Sequence, residues 1–292
     1  MDQAQRFEVR VERDIVYGTG KVTRDGVLVE RELKLDRYAP VGPAGAKPAI
    51  VMAFGGAFHR GSKENDAFPA EGNRNTAIAE YCRRFAACGY VCFSIDYRMV
   101  PEDPDPGDTP VITSDAGAPL SRVDVVRRML GLPPATVAMM RRGIEAACDD
   151  MVNAVRHVIA QAAAYEVDPR RIALAGFSAG ARTALNAAYA EKLPVKAVVS
   201  ISGFMAADDL ARHVVPGGPR AMLVWGERDL DYIVPHSLAM AEHFRRAGLL
   251  HAAYQVTGAN HFYPAESPIK EADGTQTTVE GAMARFLAGA LA

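Results

Sequence analysis

One serine of this chain lies in a pattern that can turn its hydroxyl into a nucleophile. Ser178 is flanked by Gly176 and Gly180 in the spacing Gly-x-Ser-x-Gly, between a β-prone run at 172–175 and an alanine-rich run that predicts a helix. Such a strand-to-helix turn holds the serine in a strained conformation with its hydroxyl clear of the sheet. The alternative is a glycine-rich connection whose serine only caps the helix. We interpret Ser178 as a catalytic nucleophile.

A serine nucleophile needs a base, and the order of the chain selects one histidine. Where the nucleophile sits on such a turn, the acid follows the serine in sequence and the histidine comes last. His261 lies in a loop between the last predicted strand and the last predicted helix. The other six histidines fall in predicted helices, in earlier loops or at the start of that strand: His59, His157, His213, His236, His243 and His251. We predict that His261 is the general base.

The acid that orients the histidine should follow a late strand. Residues 223–225 form an apolar run that leads into Gly226, and three carboxylates come next. Asp229 is preferred because the turn directly after the strand directs it toward the histidine loop. Asp231 is the second candidate and Glu227 a weak third; a helix-starting role for these carboxylates is the other interpretation.

Backbone N–H groups should hold the oxyanion that forms when a serine attacks an acyl carbonyl, and each is worth about 10²–10³ in rate. One donor is the residue after the nucleophile, Ala179. The other should come from the loop at 54–62, whose small residues let its backbone approach a substrate. We expect the N–H groups of Gly56 and Ala57 to donate to the oxyanion. The alternative for Gly55 and Gly56 is a tight turn with no further role.

The elements that must position these residues alternate between strands and helices. An antiparallel opening is predicted at 7–15 and 27–35, with turn residues at 18–26. Short apolar runs then recur with helical segments between them, as in strands buried on both faces. The sequence therefore predicts an α/β fold with a mostly parallel central sheet and helices on both faces.

We expect residues 1–292 to form one domain with a long insertion at 103–143 after the fourth strand. The insertion contains two amphipathic pieces, 122–130 and 134–142. Long ordered insertions of this kind are usually functional, and we predict a helical lid over the site. A surface excursion and a dimer contact are the alternatives.

Composition excludes several classes of function. The formal net charge of −2 and the lack of Lys/Arg runs argue against nucleic-acid binding. No apolar stretch is long enough for a membrane span, and no apolar segment follows the first residues as in a secretory signal. The four cysteines form no Cys-x-x-Cys pair, so buried thiols in a reducing cytoplasm are expected. The sequence does not decide whether the protein forms a homodimer.

Four stretches resemble a known family. Residues 33–40 (Leu-Lys-Leu-Asp-Arg-Tyr-Ala-Pro), 54–62, 96–102 and 176–180 are similar to motifs of hormone-sensitive-lipase-like and feruloyl-esterase-like carboxylesterases of the α/β-hydrolase superfamily. The resemblance covers about 25–100 and 145–290. It implies the α/β-hydrolase fold and a Ser-His-Asp esterase site.

The sequence departs from this family in the loop at 54–62. Phe54 stands where the family has a histidine whose hydrogen bonds hold the loop, and Ala57 replaces its third glycine. The insertion at 103–143 matches no part of the family pattern. Tyr97 and Arg98 belong to a shared segment, which we interpret as packing under the serine turn.

These features predict hydrolysis of carboxylic esters through an acyl-enzyme, without a cofactor or metal. Phe58, Phe177 and Phe204 should line a pocket for small to medium or aromatic acyl groups. A peptidase or amidase and a lactonase could use the same triad. A ligand-binding protein without activity is a further alternative, although such relatives typically lose the serine or the histidine.

Overall fold

The fold is organised around one large sheet. The computed structural model describes residues 6–42, 45–70, 72–112, 119–271 and 273–292. In these residues a nine-stranded sheet includes β1 (Glu8–Arg24), β2 (Val27–Val41), β3 (Lys47–Ala53), β4 (Val91–Ile95), β5 (Val167–Phe177), β6 (Ala197–Ile201), β7 (Arg220–Gly226), β8 (Leu250–Val256) and a short edge strand at Pro104–Asp105. The apolar runs predicted as strands lie within β3 to β7, and these runs are buried on both faces.

Strand order brings the candidate residues to one edge. The order is β8-β7-β6-β5-β3-β4-β2-β1, followed by Pro104–Asp105. From β4 to β8 all neighbours are parallel, whereas β2 is antiparallel to β4, with Leu35 opposite Ile95. Because the carboxyl ends of parallel strands lie at one edge, the segments after β3, β5, β7 and β8 meet there.

The opening hairpin is longer than the sequence predicts. The expected turn at 18–26 is mostly strand, and the chain reverses at Asp25 and Gly26. Gly20 does not form a turn. It allows the Arg98 side chain to pack against the strand, because a Cβ at Gly20 would lie 2.4 Å from Arg98 Nε. The register shifts before Ile15 and again before Gly18, which is typical of β-bulges.

Helices cover both faces of the sheet, as predicted. On one face Arg84 of α1 pairs with Glu280 of α8. On the other, α3 contacts α5, and Tyr189 of α5 packs against Phe244 of α7. The helices are α1 (Ile78–Ala87), α2 (Leu120–Met129), α3 (Val137–Ala160), α4 (Ala162–Tyr165), α5 (Ala179–Tyr189), α6 (Ala207–His213), α7 (Ile233–Arg246) and α8 (Val279–Ala290).

The insertion departs from its predicted form in one helix. The piece predicted at 122–130 is α2, but the piece predicted at 134–142 is the start of the long helix α3, which Thr136 caps by accepting the Met139 N–H. Glu145 of α3 anchors the approaching chain by accepting the N–H groups of Val111 and Ile112. Residues 113–118 of the predicted lid lie outside the described residues.

Small elements complete the fold. They are a helical turn at Val100–Glu102, a strand pair at Pro69–Ala70 and Asn73–Arg74, and another at Pro268–Lys270 and Gln276–Thr278. No helix in the described ranges has both the length and the apolar character needed to cross a bilayer. Cys82, Cys92 and Cys148 are buried as expected, but Cys88 is exposed because it follows the last turn of α1.

Candidate active site

The predicted nucleophile occupies a strained turn between β5 and α5. Ser178 has φ +53° and ψ −114°, and its N–H donates to Ile201 O at 2.8 Å. The two glycines are required by space: a Cβ at Gly176 would lie 2.3 Å from Gly180 O, and one at Gly180 would lie 2.1 Å from Ala53 O. The serine is therefore held at the carboxyl edge of the sheet by backbone packing on both sides.

The structure brings the three predicted triad residues together. His261 Nε2 lies 2.9 Å from Ser178 Oγ, and His261 Nδ1 lies 2.5 Å from Asp229 Oδ1. The histidine loop rests directly on the end of β7, since a Cβ at Gly226 would lie 2.3 Å from Asn260 O. A hydroxyl, an imidazole and a carboxylate in this order can remove the serine proton and stabilise the imidazolium that forms.

Two residues that sequence reasoning missed support the acid. Ser202 donates to Asp229 Oδ2 at 2.6 Å, and its oxygen lies 2.9 Å from Tyr263 OH. The N–H groups of Gly226 and Leu230 donate to the same carboxylate at 3.0 and 2.8 Å. Burial alone would raise the pKa of Asp229, but the charge and hydrogen bond of His261 and these donors hold that pKa below its usual value.

The competing candidates lie elsewhere. Asp231 is exposed, and Glu227 accepts the N–H of Gly258 at 2.6 Å instead of contacting His261. Four other histidines bond groups away from the serine, namely His157 to Tyr165, His213 to Val111, His236 to Tyr232 and His243 to Val214. Among the candidates, Asp229 and His261 are the pair in contact with each other, and His261 also contacts Ser178.

The loop after β3 lies against the same pocket. Gly56, Ala57 and Ala179 line it together with Ser178. Gly56 has φ +125° and Ala57 has φ +58°, and a Cβ at Gly56 would lie 1.9 Å from Arg60 O. Within the described part of the chain, the N–H groups of these three predicted donors have no hydrogen-bond acceptor.

Other side chains hold this loop where Phe54 replaces the family's histidine. Tyr97 donates to Phe54 O at 2.9 Å and its ring stacks on Phe54 at 4.3 Å, so Tyr97 packs against this loop, whereas the prediction placed it under the serine turn. The Asp66 carboxylate accepts the N–H groups of Gly55 at 2.7 Å and Ile78 at 2.8 Å. Burial raises the pKa of Asp66 to about 6, against the opposing effect of these hydrogen bonds.

His59 connects the loop to the insertion. Its Nδ1 lies 2.7 Å from Ala57 O, and its Nε2 lies 3.0 Å from Arg127 Nη1 of α2. The carbonyl requires a proton on Nδ1, and the guanidinium requires a lone pair on Nε2, so His59 is the neutral tautomer. Burial lowers the pKa of His59 and the Arg127 charge lowers it further, while the bond to Ala57 acts in the opposite direction.

The pocket combines aromatic and cationic side chains. All three predicted phenylalanines line it: Phe58, Phe177 and Phe204. The insertion contributes Val123 and Val126 from α2. Sequence reasoning missed three further lining residues, Arg60, Arg122 and Arg182. Scattered basic residues carry no local pattern that would have identified them.

Among the described residues, two clusters of three acidic side chains have a spacing that could hold a metal ion, and both lie outside this pocket. Asp14, Asp36 and Glu64 converge, but the Lys63 ammonium contacts all three. Glu145, Asp149 and Glu191 form the second group, in which both Glu145 oxygens already accept backbone N–H groups. Neither group faces Ser178. The expectation of a metal-free, cofactor-free reaction stays a prediction.

Comparisons with known proteins address the fold of the chain. A family model described as BD-FAE, a feruloyl-esterase-like α/β-hydrolase family, matches residues 138–204, which contain the serine turn. No curated protein was found to match the sequence.

Solved structures of esterase 2 from Thermogutta terrifontis are similar over most of the chain. The form phosphorylated by paraoxon has 20% identity and a TM-score of 0.56, covering 89% of this chain and 85% of that one. The propionate-bound form has 21% identity and a TM-score of 0.56, covering 89% and 86%. The butyrate-bound form has 20% identity and a TM-score of 0.54, with the same coverage. The chain has the α/β-hydrolase fold.

Proposed function

We propose that the protein is a serine hydrolase that cleaves carboxylic esters. The observation that carries this proposal is the continuous contact from Ser178 Oγ through His261 to Asp229, with distances of 2.9 and 2.5 Å. The contact ends in a pocket where the N–H groups of Ala57 and Ala179 have no acceptor in the described residues. This arrangement supports the roles of nucleophile, base, acid and oxyanion donors for these residues.

Acylation begins when Ser178 Oγ attacks the ester carbonyl carbon. His261 Nε2 takes the serine proton, and the carbonyl oxygen becomes an oxyanion facing the N–H groups of Gly56, Ala57 and Ala179. Asp229 keeps the other proton on Nδ1 and stabilises the imidazolium. When the tetrahedral intermediate collapses, the C–O bond to the alcohol breaks and His261 returns the proton to the leaving oxygen.

Deacylation repeats these steps with water. His261 removes a proton from a water molecule that attacks the acyl-enzyme, the same donors hold the oxyanion, and the proton passes to Ser178 Oγ as the acid leaves. Atoms and charges balance without a metal or cofactor.

The pocket lining supports small to medium or aromatic acyl groups. Phe58, Phe177 and Phe204 give it apolar walls, and Val123 and Val126 of the insertion close one side. We propose that the insertion at 103–143 acts as the lid. The esterase structures with bound propionate and butyrate support short acyl chains by analogy of fold.

The alternatives are weaker. Amide and lactone cleavage would use the same atoms, and only rate measurements with matched substrates separate them. A binding protein without activity would not need the serine strain, the Asp229 network and the unbonded N–H groups to coincide.

Labelling with a fluorophosphonate probe and turnover of para-nitrophenyl butyrate test the proposal. We expect one covalent adduct per wild-type chain, none in Ser178→Ala, and a fall in kcat of about 10⁴-fold or more in that variant. Ser200→Ala is the matched control, because the Ser200 hydroxyl is buried in β6 and does not line the pocket. Labelling of Ser178→Ala, or its full activity, would refute the proposal.

A further inference from the structure

The candidate pocket carries more positive charge than ester hydrolysis requires. Three guanidinium groups line it from separate elements: Arg60 from the loop after β3, Arg122 from α2 and Arg182 from α5. The described lining includes His261 and the phenol of Tyr232 but no carboxylate. Burial raises the pKa of Tyr232 to about 12, so this phenol is neutral at physiological pH and does not balance the guanidinium charges.

The three arginines are not equivalent. Arg182 is buried, and burial lowers its pKa, whereas the nearby negative charge of Asp209 raises it. The Asp209 carboxylate therefore partly neutralises the charge of Arg182. Arg60 is half-buried, and its guanidinium stacks over Phe68 with Cζ 4.2 Å from the ring centroid. Within the described residues, Arg60 Nε is buried without a hydrogen-bond partner.

Arg60 and Arg122 line the same pocket, and their like charges repel. Burial lowers the pKa of Arg60, and the positive charge of Arg122 lowers it further. Two like charges at a partly buried wall cost free energy unless an anion joins them. Guanidinium groups offer N–H donors in a fixed planar arrangement that matches a carboxylate.

We propose that Arg60 and Arg122 form a carboxylate subsite, so that the protein hydrolyses esters whose acyl or alcohol part carries a carboxylate. This inference rests on the proposed function. The apolar walls then hold the carbon skeleton, and the two cations place the charged end. Each charge-assisted hydrogen bond should change the preference by about tenfold or more.

Matched ester pairs test the subsite. One pair is para-nitrophenyl hydrogen adipate against para-nitrophenyl heptanoate, with the charge on the acyl side. The other is para-acetoxybenzoate against its methyl ester, with the charge on the leaving side. We expect kcat/KM to favour the carboxylate member of at least one pair by about tenfold. Equal or lower values in both pairs would overturn the inference.

Substitutions show whether the arginines cause the preference. In Arg60→Gln and Arg122→Gln, measured independently, the ratio of kcat/KM for the charged and neutral members should fall about tenfold. Arg128→Gln on the exposed face of α2 makes the same change of charge outside the pocket, and it should keep the wild-type ratio. A ratio that stays at the wild-type value in both pocket variants would overturn the assignment.

The outcomes separate this inference from the function on which it rests. Hydrolysis of neutral esters without any charge preference would refute the subsite and leave the esterase intact. Absence of turnover for every ester, together with an unlabelled Ser178, would refute both. Stronger inhibition of neutral-ester hydrolysis by inorganic phosphate than by adipate would show that the arginines select phosphate, which contradicts the carboxylate assignment.

Discussion

Replacing Asp229 by asparagine should nearly abolish activity, for a reason visible in its hydrogen bonds. The carboxylate accepts from His261 and Leu230 on Oδ1 and from Ser202 and Gly226 on Oδ2. Asparagine offers one acceptor oxygen and one NH₂ donor. Either orientation of the amide therefore turns its NH₂ group toward a backbone N–H that it cannot satisfy.

The two orientations of the amide have different consequences. With NH₂ toward His261, the ring must accept at Nδ1 and carry its proton on Nε2, where it can no longer deprotonate Ser178. With NH₂ toward Ser202, the tautomer survives, but the imidazolium loses its counter-charge and the Gly226 N–H is unpaired. A loss of about 10⁴-fold in kcat is expected, which is about 5 kcal/mol of transition-state stabilisation.

The assay is kcat for para-nitrophenyl butyrate, with thermal unfolding as the check on folding. Asp231→Asn is the matched control, because it makes the same change of charge at an exposed position two residues away. It should keep near wild-type activity. If Asp229→Asn retained a tenth of the activity or more, or if Asp231→Asn lost as much, the assignment of the acid would be refuted.

The same variant has a pH signature in stability. The pKa of Asp229 is lower in the folded protein than its ordinary value, despite burial, because His261 and the backbone donors favour the carboxylate. Its contribution to stability is present above the ordinary carboxyl range and is lost as pH falls through the folded pKa. Wild type should therefore be more stable than Asp229→Asn at neutral pH, and the difference should shrink in acid. A difference that grows in acid would contradict this sign.

Three further outcomes follow from the structure. Arg127→Met removes the donor to His59 Nε2, so the loop at 54–62 should become less rigid. For neutral esters, kcat should then fall about tenfold or more. Arg128→Met, the control, should leave kcat unchanged. Asp66→Asn turns an NH₂ group toward the Gly55 N–H or the N–H that opens α1, and should lower the free energy of unfolding by about 1–3 kcal/mol in denaturant titrations. Burial and neighbouring carboxylates raise the pKa of Asp149 to about 7, so the wild-type protein loses stability as pH rises from about 4 to about 7. At pH 8 the free energy of unfolding of Asp149→Asn should exceed that of wild type by about 1–2 kcal/mol, after discounting for solvent screening. This difference should vanish near pH 4.

The convergence of Ser178, Asp229 and His261 could be predicted from sequence because the signals are local and the parallel sheet brings them to one edge. The spacing around Ser178 records a turn in which only glycine fits on either side. Asp229 and His261 each follow a buried strand, and parallel strands bring their carboxyl ends to one edge. Three short patterns in a fixed order were therefore enough to place side chains that are distant in the chain.

Close packing against a distant residue is a role of glycine that the sequence does not record. Gly143 lies inside α3, where a Cβ would be 2.3 Å from Val100 Cγ2. Gly20 looked like a turn residue, but it makes room for Arg98. A glycine that permits close packing and one that permits a positive φ are identical in sequence, and only the neighbouring chain distinguishes them.

The supporting side chains had no local signal at all. Ser202 donates to Asp229, and Tyr263 contacts Ser202 from a different loop. His59 contacts Arg127 across the boundary of the insertion. Each residue type is common, and none stands at a spacing that implies a partner. Their roles depend on tertiary contacts that single-sequence patterns do not record.

In the proposed mechanism, helix α2 links substrate selection to oxyanion stabilisation. At about 100° per residue, Arg122, Val123, Val126 and Arg127 of α2 fall within about 140° around the helix axis, so they occupy one side of it. The first three line the pocket, and the fourth donates to His59, which holds the carbonyl of Ala57. A shift of α2 would therefore move the proposed carboxylate subsite and the oxyanion loop together. The protein cannot change its preference through this helix without also changing the geometry in which the oxyanion is held.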